Sequence, residues 1–233
     1  MSSTWINCST RSARSQGSRN NFMIFQLSPE NIGFPDPALA EPDGLLAVGG
    51  DLRPERLLAA YQRSIFPWYS DDTPILWYSP HERFVLFPDE LKISKSMRQI
   101  IRSGRFEVTC NQAFARVIAA CAQQPRPGQD GTWITADMQQ AYIQLHELGY
   151  AHSTEVWHGA DLVGGLYGVS VGGVFCGESM FSHASNASKV ALTSLCRSEK
   201  YLLIDCQVYT DHLASLGARM IPRTQYLTFL HAN

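Results

Sequence analysis

The stretch STEVWHGADLVGGLYGVSVGGVFCGE, residues 153–178, decides the fold. It reads as three strands: Ser153–Trp157, Leu162–Val171 and Val174–Glu178. A turn at His158–Asp161 separates the first two, and Gly172–Gly173 separates the last two. β-branched and aromatic residues fill the strands, and the connections are short, so the three form an antiparallel meander. Upstream, Thr135 can cap a helix through Leu148, with Met138, Tyr142 and Leu145 at helical spacing and Gly149 just past its end. Before that come a strand at Arg83–Pro88, a helix from Ser94 to about Arg102, a strand at Phe106–Cys110, and a helix to about Ala122 that Asn111 can cap. Downstream, Ser185 or Asn186 can cap a helix over about Ala187–Ser198, and a strand follows at Leu202–Asp205. Asp211–Leu216 reads as helix and Arg219–Ile221 as a short strand. Pro222 opens a last helix with Tyr226, Leu227 and Leu230 inward. Helices interleaved with a mainly antiparallel sheet predict an α+β protein, not a doubly wound one.

The chain ahead of residue 85 has a different texture. Phe34–Gly50 is rich in Pro and Gly, and Pro54 suits the first turn of a short helix ending near Arg63, with Leu57, Leu58 and Tyr61 inward. Two aromatic runs follow, Ile65–Tyr69 and Ile75–Tyr78; Trp77 reads as core, while Trp68 is divided between core and a stacking surface. A small N-terminal α/β domain over 23–85 and a larger body over 86–233 are therefore expected. Residues 1–22 carry Ser, Asn and Arg with no acid and no apolar signal-like run. They read as a disordered extension outside the fold, with Met23 a natural alternative start.

Hydrophobic residues make up 45% of the chain, enough for a real core, and the formal charge of −2 announces no nucleic acid globally. Any nucleic-acid contact must be a local patch. Leu91–Phe106 supplies one: Lys92, Lys95, Arg98, Arg102 and Arg105 with no acid. Lys95, Arg98 and Arg102 share one helix face, which is either solvated or tracks phosphates; the mild acidity elsewhere favours phosphates. No run reaches transmembrane length. The six cysteines make no C-x-x-C or zinc spacing, which predicts buried free thiols in a reducing cytoplasm. The seven histidines contain no H-E-x-x-H, and no G-x-S-x-G elbow exists, since the one match, Gly168–Gly172, runs along a strand into a turn and not into a helix, so metal catalysis and serine hydrolysis fall away. Gly164, Gly165, Gly168, Gly172 and Gly173 lie between strands and form no dinucleotide fingerprint; they read as close backbone approach to a partner or as packing.

Polar groups stand at two strand ends. Asp205 and Gln207 close Leu202–Ile204 and share a face if the chain stays extended; Glu178 and Ser179 close the meander. Such groups on an apolar body look like an active site.

The chain also resembles the bacterial leucyl/phenylalanyl-tRNA–protein transferases. The resemblance rests on Glu41–Leu52 (EPDGLLAVGGDL), Tyr61–Trp68 (YQRSIFPW), Gly131–Thr135 (GTWIT), His146–Gly149, His152–Trp157, Leu162–Gly168, Phe175–Ser182 (FCGESMFS), Asn186–Lys189 and Ile204–Gln207 (IDCQ), and covers roughly Ile24–Leu230. It implies a C-terminal domain similar to the GNAT acyltransferases. The implied activity is transfer of Leu or Phe, and sometimes Met, from aminoacyl-tRNA to proteins beginning with Arg or Lys, as a signal for N-end rule degradation. The ester of the donor is already activated, so no cofactor or metal is implied. The expected partners are Leu-tRNA, Phe-tRNA and the acceptor proteins. A cytoplasmic monomer is expected.

By resemblance Gln207 accepts a hydrogen bond from the attacking amine, Asp205 orients that network, and Glu178 or Asp205 favours a cationic acceptor. Trp68 and Trp133 match residues that contact the terminal adenosine and nearby donor groups. Tyr61 and Tyr142 match residues lining the same site, and Ser179, Asn186 and Ser188 are placed with them as aminoacyl-tRNA contacts. Phe175, Phe181 and Ile204 are candidates for the apolar donor pocket. Lys92, Lys95, Arg98 and Arg102 are candidates for the tRNA backbone. The join between Lys189 and Ile204 is a few residues shorter than usual in the family, and Cys196–Tyr201 must turn without glycine. Two other readings use the same residues: a tRNA-dependent transferase with a different amine acceptor, and a tRNA-binding module with weakened catalysis.

Overall fold

The computed structural model describes residues 24–124 and 132–232. The expected N-terminal extension and the loop over 125–131, including Gly131 of the GTWIT motif, lie outside the described residues. The first sheet has four short strands, β1 (Phe25–Leu27), β2 (Leu45–Gly49), β3 (Phe66–Pro67) and β4 (Leu76–Tyr78), in the order β1-β2-β4-β3. Helix α1 (Pro54–Tyr61) sits between β2 and β3 in the chain and buries Leu57, Ala60 and Tyr61. The second sheet has seven strands: β5 (Glu82–Leu86), β6 (Glu107–Cys110), β7 (Ala151–His158), β8 (Asp161–Val171), β9 (Val174–Ser182), β10 (Leu203–Gln207) and β11 (Arg219–Pro222). Their order is β11-β5-β10-β9-β8-β7-β6. Every neighbouring pair is antiparallel except β9 and β10, which run parallel. The architecture is therefore α+β. The change of sheet falls between Tyr78 and Glu82, just ahead of residue 85.

The remaining helices are α2 (Lys95–Arg102), α3 (Phe114–Gln123), α4 (Ala136–Glu147), α5 (Ala187–Arg197), α6 (Asp211–Ser215) and α7 (Arg223–Leu230). Two cores result. One joins the two sheets with α1, α3, α4 and α7, and holds Leu57, Trp77, Val117, Tyr142, Cys176 and Tyr226. The other lies between the opposite face of the large sheet and α2 and α5, and holds Phe84, Met97, Phe175, Leu192 and Ile204. Gly164 lets α5 come close, because a Cβ there would stand 2.5 Å from the Cβ of Ala187. That glycine serves packing within the chain.

Caps show where local reading holds. Ser94 and Thr135 accept from the N–H groups of Met97 and Met138, as their positions predict. Asn111 does not cap α3. It takes φ 60°, and its side chain accepts from Ser153 N at 3.0 Å. The start of α3 is held instead by Glu155, a buried acid on β7 that accepts from Ala113 N, Ser153 Oγ and Thr109 Oγ1. A carboxylate at a helix N-terminus satisfies orphan N–H groups and meets the positive end of the helix dipole. Asn186 precedes α5 with φ 70° and makes no cap bond; Ser182 Oγ accepts from Ser188 N at 3.3 Å. After α5 the glycine-free join turns at Glu199, which takes φ 56°. Both Leu202 N and Leu203 N then donate to Gly173 O, which fixes the start of β10.

Candidate active site

Two β-bulges build the site. On β9, Tyr167 faces Ser179 and Gly168 faces Gly177, so Glu178 is an extra residue. On β10, Asp205 faces Val85 and Gln207 faces Phe84, so Cys206 is extra. The parallel pairing of β9 with β10 ends at the Asp205–Cys176 pair, and the two bulges lie just beyond it. Gln207 has φ 57°, so the chain is not extended there and the expected shared face for Asp205 and Gln207 does not form.

The bulges bring Gln207 to Glu178. Gln207 Nε2 donates to Glu178 Oε1 at 2.8 Å. Tyr61 OH, from α1, donates to the same oxygen at 2.7 Å, and Tyr142 OH, from α4, donates to Glu178 Oε2 at 3.2 Å. The two tyrosine hydroxyls also touch one another. Three elements thus converge on one carboxylate of β9 that is 7% exposed. Burial pushes Glu178 up to about 7, although its three hydrogen-bond donors work the other way. Burial likewise raises both tyrosines, so they remain neutral donors.

Asp205 sits apart from this cluster. It is fully buried and ion-paired with Arg83, which is 1% exposed. Tyr226 OH donates to Asp205 Oδ2 at 2.9 Å, and Gln207 N donates to Asp205 Oδ1 at 2.9 Å. Burial opposes the charge on Arg83, yet the field of Asp205 prevails and raises its pKa. Asp205 therefore contacts the backbone of Gln207, whereas Glu178 contacts its carboxamide. Arg83 escaped the sequence reading as a site residue. A lone cation opening the apolar run Phe84–Phe87, with a lone acid closing another at Leu202–Ile204, was the available signal.

The three expected pocket residues are not assembled into one pocket. Phe175 and Ile204 belong to the core under α2 and α5, and Phe181 to the core under α3 and α4. Phe175 and Phe181 are an even number of residues apart, which puts them on one face of an unbroken strand. The bulge at Glu178 reverses that parity. Trp68 is 37% exposed and packs on Tyr78, with ring centroids 6.0 Å apart. Trp133 is half-buried against the first core. A hydrogen bond of 3.3 Å between the hydroxyls of Tyr69 and Thr135 ties the loops that carry these two tryptophans. Ser179, Asn186 and Ser188 are half-buried around the end of β9 and the start of α5. Lys92, Lys95, Arg98 and Arg102 are all exposed, and α2 packs through Met97 on the second core. The cations thus lie on one side of the large sheet and Tyr61 and Tyr142 on the other. A cavity of about 480 Å³ beside α2 is lined by Lys92, Ser94, Met97 and Lys189. Cys121, Cys176 and Cys196 are buried, but Cys110 is exposed and Cys206 half-buried, so the expected burial of the thiols is incomplete. Among the described residues no helix is long and apolar enough to cross a membrane.

The described residues thus form an α+β protein in which a carboxamide and a buried carboxylate meet where the parallel pairing of two strands ends. Its particular family is also clear. Residues 85–231 match the model of the leucyl/phenylalanyl-tRNA protein transferase family, and residues 50–81 match the model of its N-terminal domain. The leucyl/phenylalanyl-tRNA–protein transferase of Syntrophus aciditrophicus is 61% identical over 202 residues, covering 85% of this chain and 84% of that protein. The protein of the same name from Anaeromyxobacter sp. strain Fw109-5 is 58% identical over 213 residues, covering 89% of each. The chain belongs to the leucyl/phenylalanyl-tRNA protein transferase family, and it is an aminoacyltransferase. A solved structure of a conserved Bacteroides thetaiotaomicron protein of unknown function overlaps 58% of this chain and 53% of its own, at TM-score 0.39 and 13% identity. That likeness is too weak to assign the fold.

Proposed function

We propose that this protein moves Leu or Phe, and also Met, from aminoacyl-tRNA to the α-amine of proteins beginning with Arg or Lys. The product is a degradation signal of the N-end rule type. The observation that carries the reading is the hydrogen bond from Gln207 Nε2 to Glu178 Oε1. By donating through its nitrogen, Gln207 keeps its carbonyl oxygen as the acceptor for an N–H of the incoming amine. A carboxamide cannot take up a proton near neutrality, but Glu178 can, because burial holds it at about 7. The acceptor α-ammonium passes a proton to Glu178, and the amine nitrogen attacks the ester carbonyl carbon. A C–N bond forms and a tetrahedral oxyanion results. Its collapse breaks the bond to the 3′ oxygen, which takes up a proton as it leaves. Asp205 acts by holding the backbone of Gln207, and the neutral tyrosines hold Glu178.

Trp68 and Trp133 offer rings to the terminal adenosine, since stacking tolerates any base. Lys92, Lys95, Arg98 and Arg102 track the acceptor stem, which must reach round the sheet to bring its 3′ end to Gln207. The parallel β9–β10 pair, parting within an otherwise antiparallel sheet, supports reading residues 86–233 as a GNAT-like domain behind a small N-terminal one. The reaction needs no cofactor beyond the charged tRNA, and we place it in the cytoplasm, carried out by a monomer.

The test is transfer of radiolabelled Leu from Leu-tRNA to a peptide beginning with Arg, beside the same peptide beginning with Ala. Transfer confined to the Arg peptide and reduced in Gln207→Ala supports the reading. A folded protein that binds charged tRNA yet transfers to neither peptide, or to both equally, rejects the stated acceptor.

A further inference from the structure

Resting on Gln207 as the group that meets the acceptor amine, we infer that Arg83 is a positioning residue for the transfer reaction. Through Asp205 it sets the backbone turn that aims Gln207 at Glu178. Arg83 lies in the interior of the fold, where an unpaired guanidinium would be strongly disfavoured. Every side of it is occupied. Its Nη2 meets Asp205, and its Nη1 donates to Ser64 O at 3.1 Å. Its Cζ lies 4.7 Å from the ring centres of both Phe66 and Tyr226. A planar, fully charged group meeting one carboxylate, one carbonyl and two ring faces has a single orientation.

That orientation is handed on. Arg83 holds both oxygens of Asp205, Nη2 on Oδ2 and Nε on Oδ1 at 3.4 Å; Tyr226 shares Oδ2, and Oδ1 is turned so that it also accepts from the backbone N–H of Gln207 at 2.9 Å. This bond closes the bulge in which Gln207 takes φ 57°. A residue with a side chain is disfavoured in that conformation by roughly 1–2 kcal/mol, so it needs an outside hold. Asp205 provides the hold and Arg83 fixes Asp205. The same guanidinium grips Ser64 and Phe66, just ahead of Trp68 on the chain. It therefore joins the loop that presents Trp68 to the turn that presents Gln207. A buried ion pair adds little net stability over apolar packing of the same shape, so stability alone does not account for one placed here.

The experiment compares Arg83→Lys with wild type, and the same change on a Gln207→Ala background, by steady-state transfer to an Arg-beginning peptide. Lysine keeps the charge but lacks the planar fork. The expected result is a fall of about tenfold in kcat with the KM for Leu-tRNA changed less than about twofold, and no further loss on the Gln207→Ala background. A paired Arg83→Met/Asp205→Asn protein removes both charges and should show a kcat loss at least as large. It keeps the test open if Arg83→Lys folds poorly. An equal proportional loss on both backgrounds, or wild-type kcat in both Arg83 variants, overturns the inference. An inactive wild type overturns the transferase reading itself.

Discussion

Two buried carboxylates stand on neighbouring strands, and their surroundings give them different work. Asp205 on β10 faces a guanidinium, a tyrosine hydroxyl and a backbone N–H. Glu178 on β9 faces two tyrosine hydroxyls and a carboxamide, all neutral. Neutral donors soften the loss of water around a carboxylate but do not cancel its charge; a guanidinium does. Asp205 is consequently an anchor, and Glu178 is held at about 7, where a proton can come and go. The contrast separates structure from chemistry within one hydrogen-bonded assembly.

Removing the anchor should have the largest effect. Asp205→Ala strands the guanidinium of Arg83 in the core and should lower unfolding stability by about 3–5 kcal/mol in urea titrations. Stability within 1 kcal/mol of wild type would show that Arg83 finds another partner and would erase the contrast. Next comes the reactive carboxylate. Glu178→Gln should lower kcat by about 100-fold while leaving the fold intact. In the wild type kcat should rise with pH through a midpoint near 7, and that limb should vanish in the variant. A wild-type midpoint surviving in Glu178→Gln would assign the titration to another group.

Stability sharpens the same point from the other direction. The pKa of Glu178 in the folded chain lies above its ordinary value, so between about 4.5 and 7 the folded state binds more protons than the unfolded one. Its contribution to stability therefore falls as pH rises through that window, and Glu178→Gln should flatten this part of the Tm profile. A smaller effect is expected at the cationic helix. Arg98→Ala or Arg102→Ala should reduce the slope of log affinity against log salt for tRNA by about 0.7–0.9 each. An unchanged slope would remove α2 from the tRNA path. The smallest effect is expected at the join. Glu199→Gly should stabilise the protein by up to about 1 kcal/mol, because Glu199 holds φ 56°.

Much of the fold was legible locally. The meander over 153–178 appears as β7, β8 and β9, and Thr135 and Ser94 cap their helices, because alternation and capping each involve residues close in sequence. Asn111 and Asn186 look like caps by the same rule, yet both take positive φ. Glu155 does the work at α3 from a strand that Asn111 cannot reveal. The site was legible in its residue types, since Glu178, Gln207, Tyr61 and Tyr142 do meet. Its division of labour was not. Asp205 was expected to orient Gln207, with the carboxylate that favours a cationic acceptor left open between it and Glu178; its pairing with Arg83, a residue more than a hundred positions away, could not be read.

The sequence by itself determined the elements, their order and the polar groups that close two of the strands. Those follow from side-chain periodicity and turn chemistry, which a chain carries without its partners. Only the tertiary structure decided the two bulges, and with them which carboxylate meets a cation and which face each phenylalanine takes. A bulge is a mismatch in count between two paired strands, so it exists only once both strands are in place.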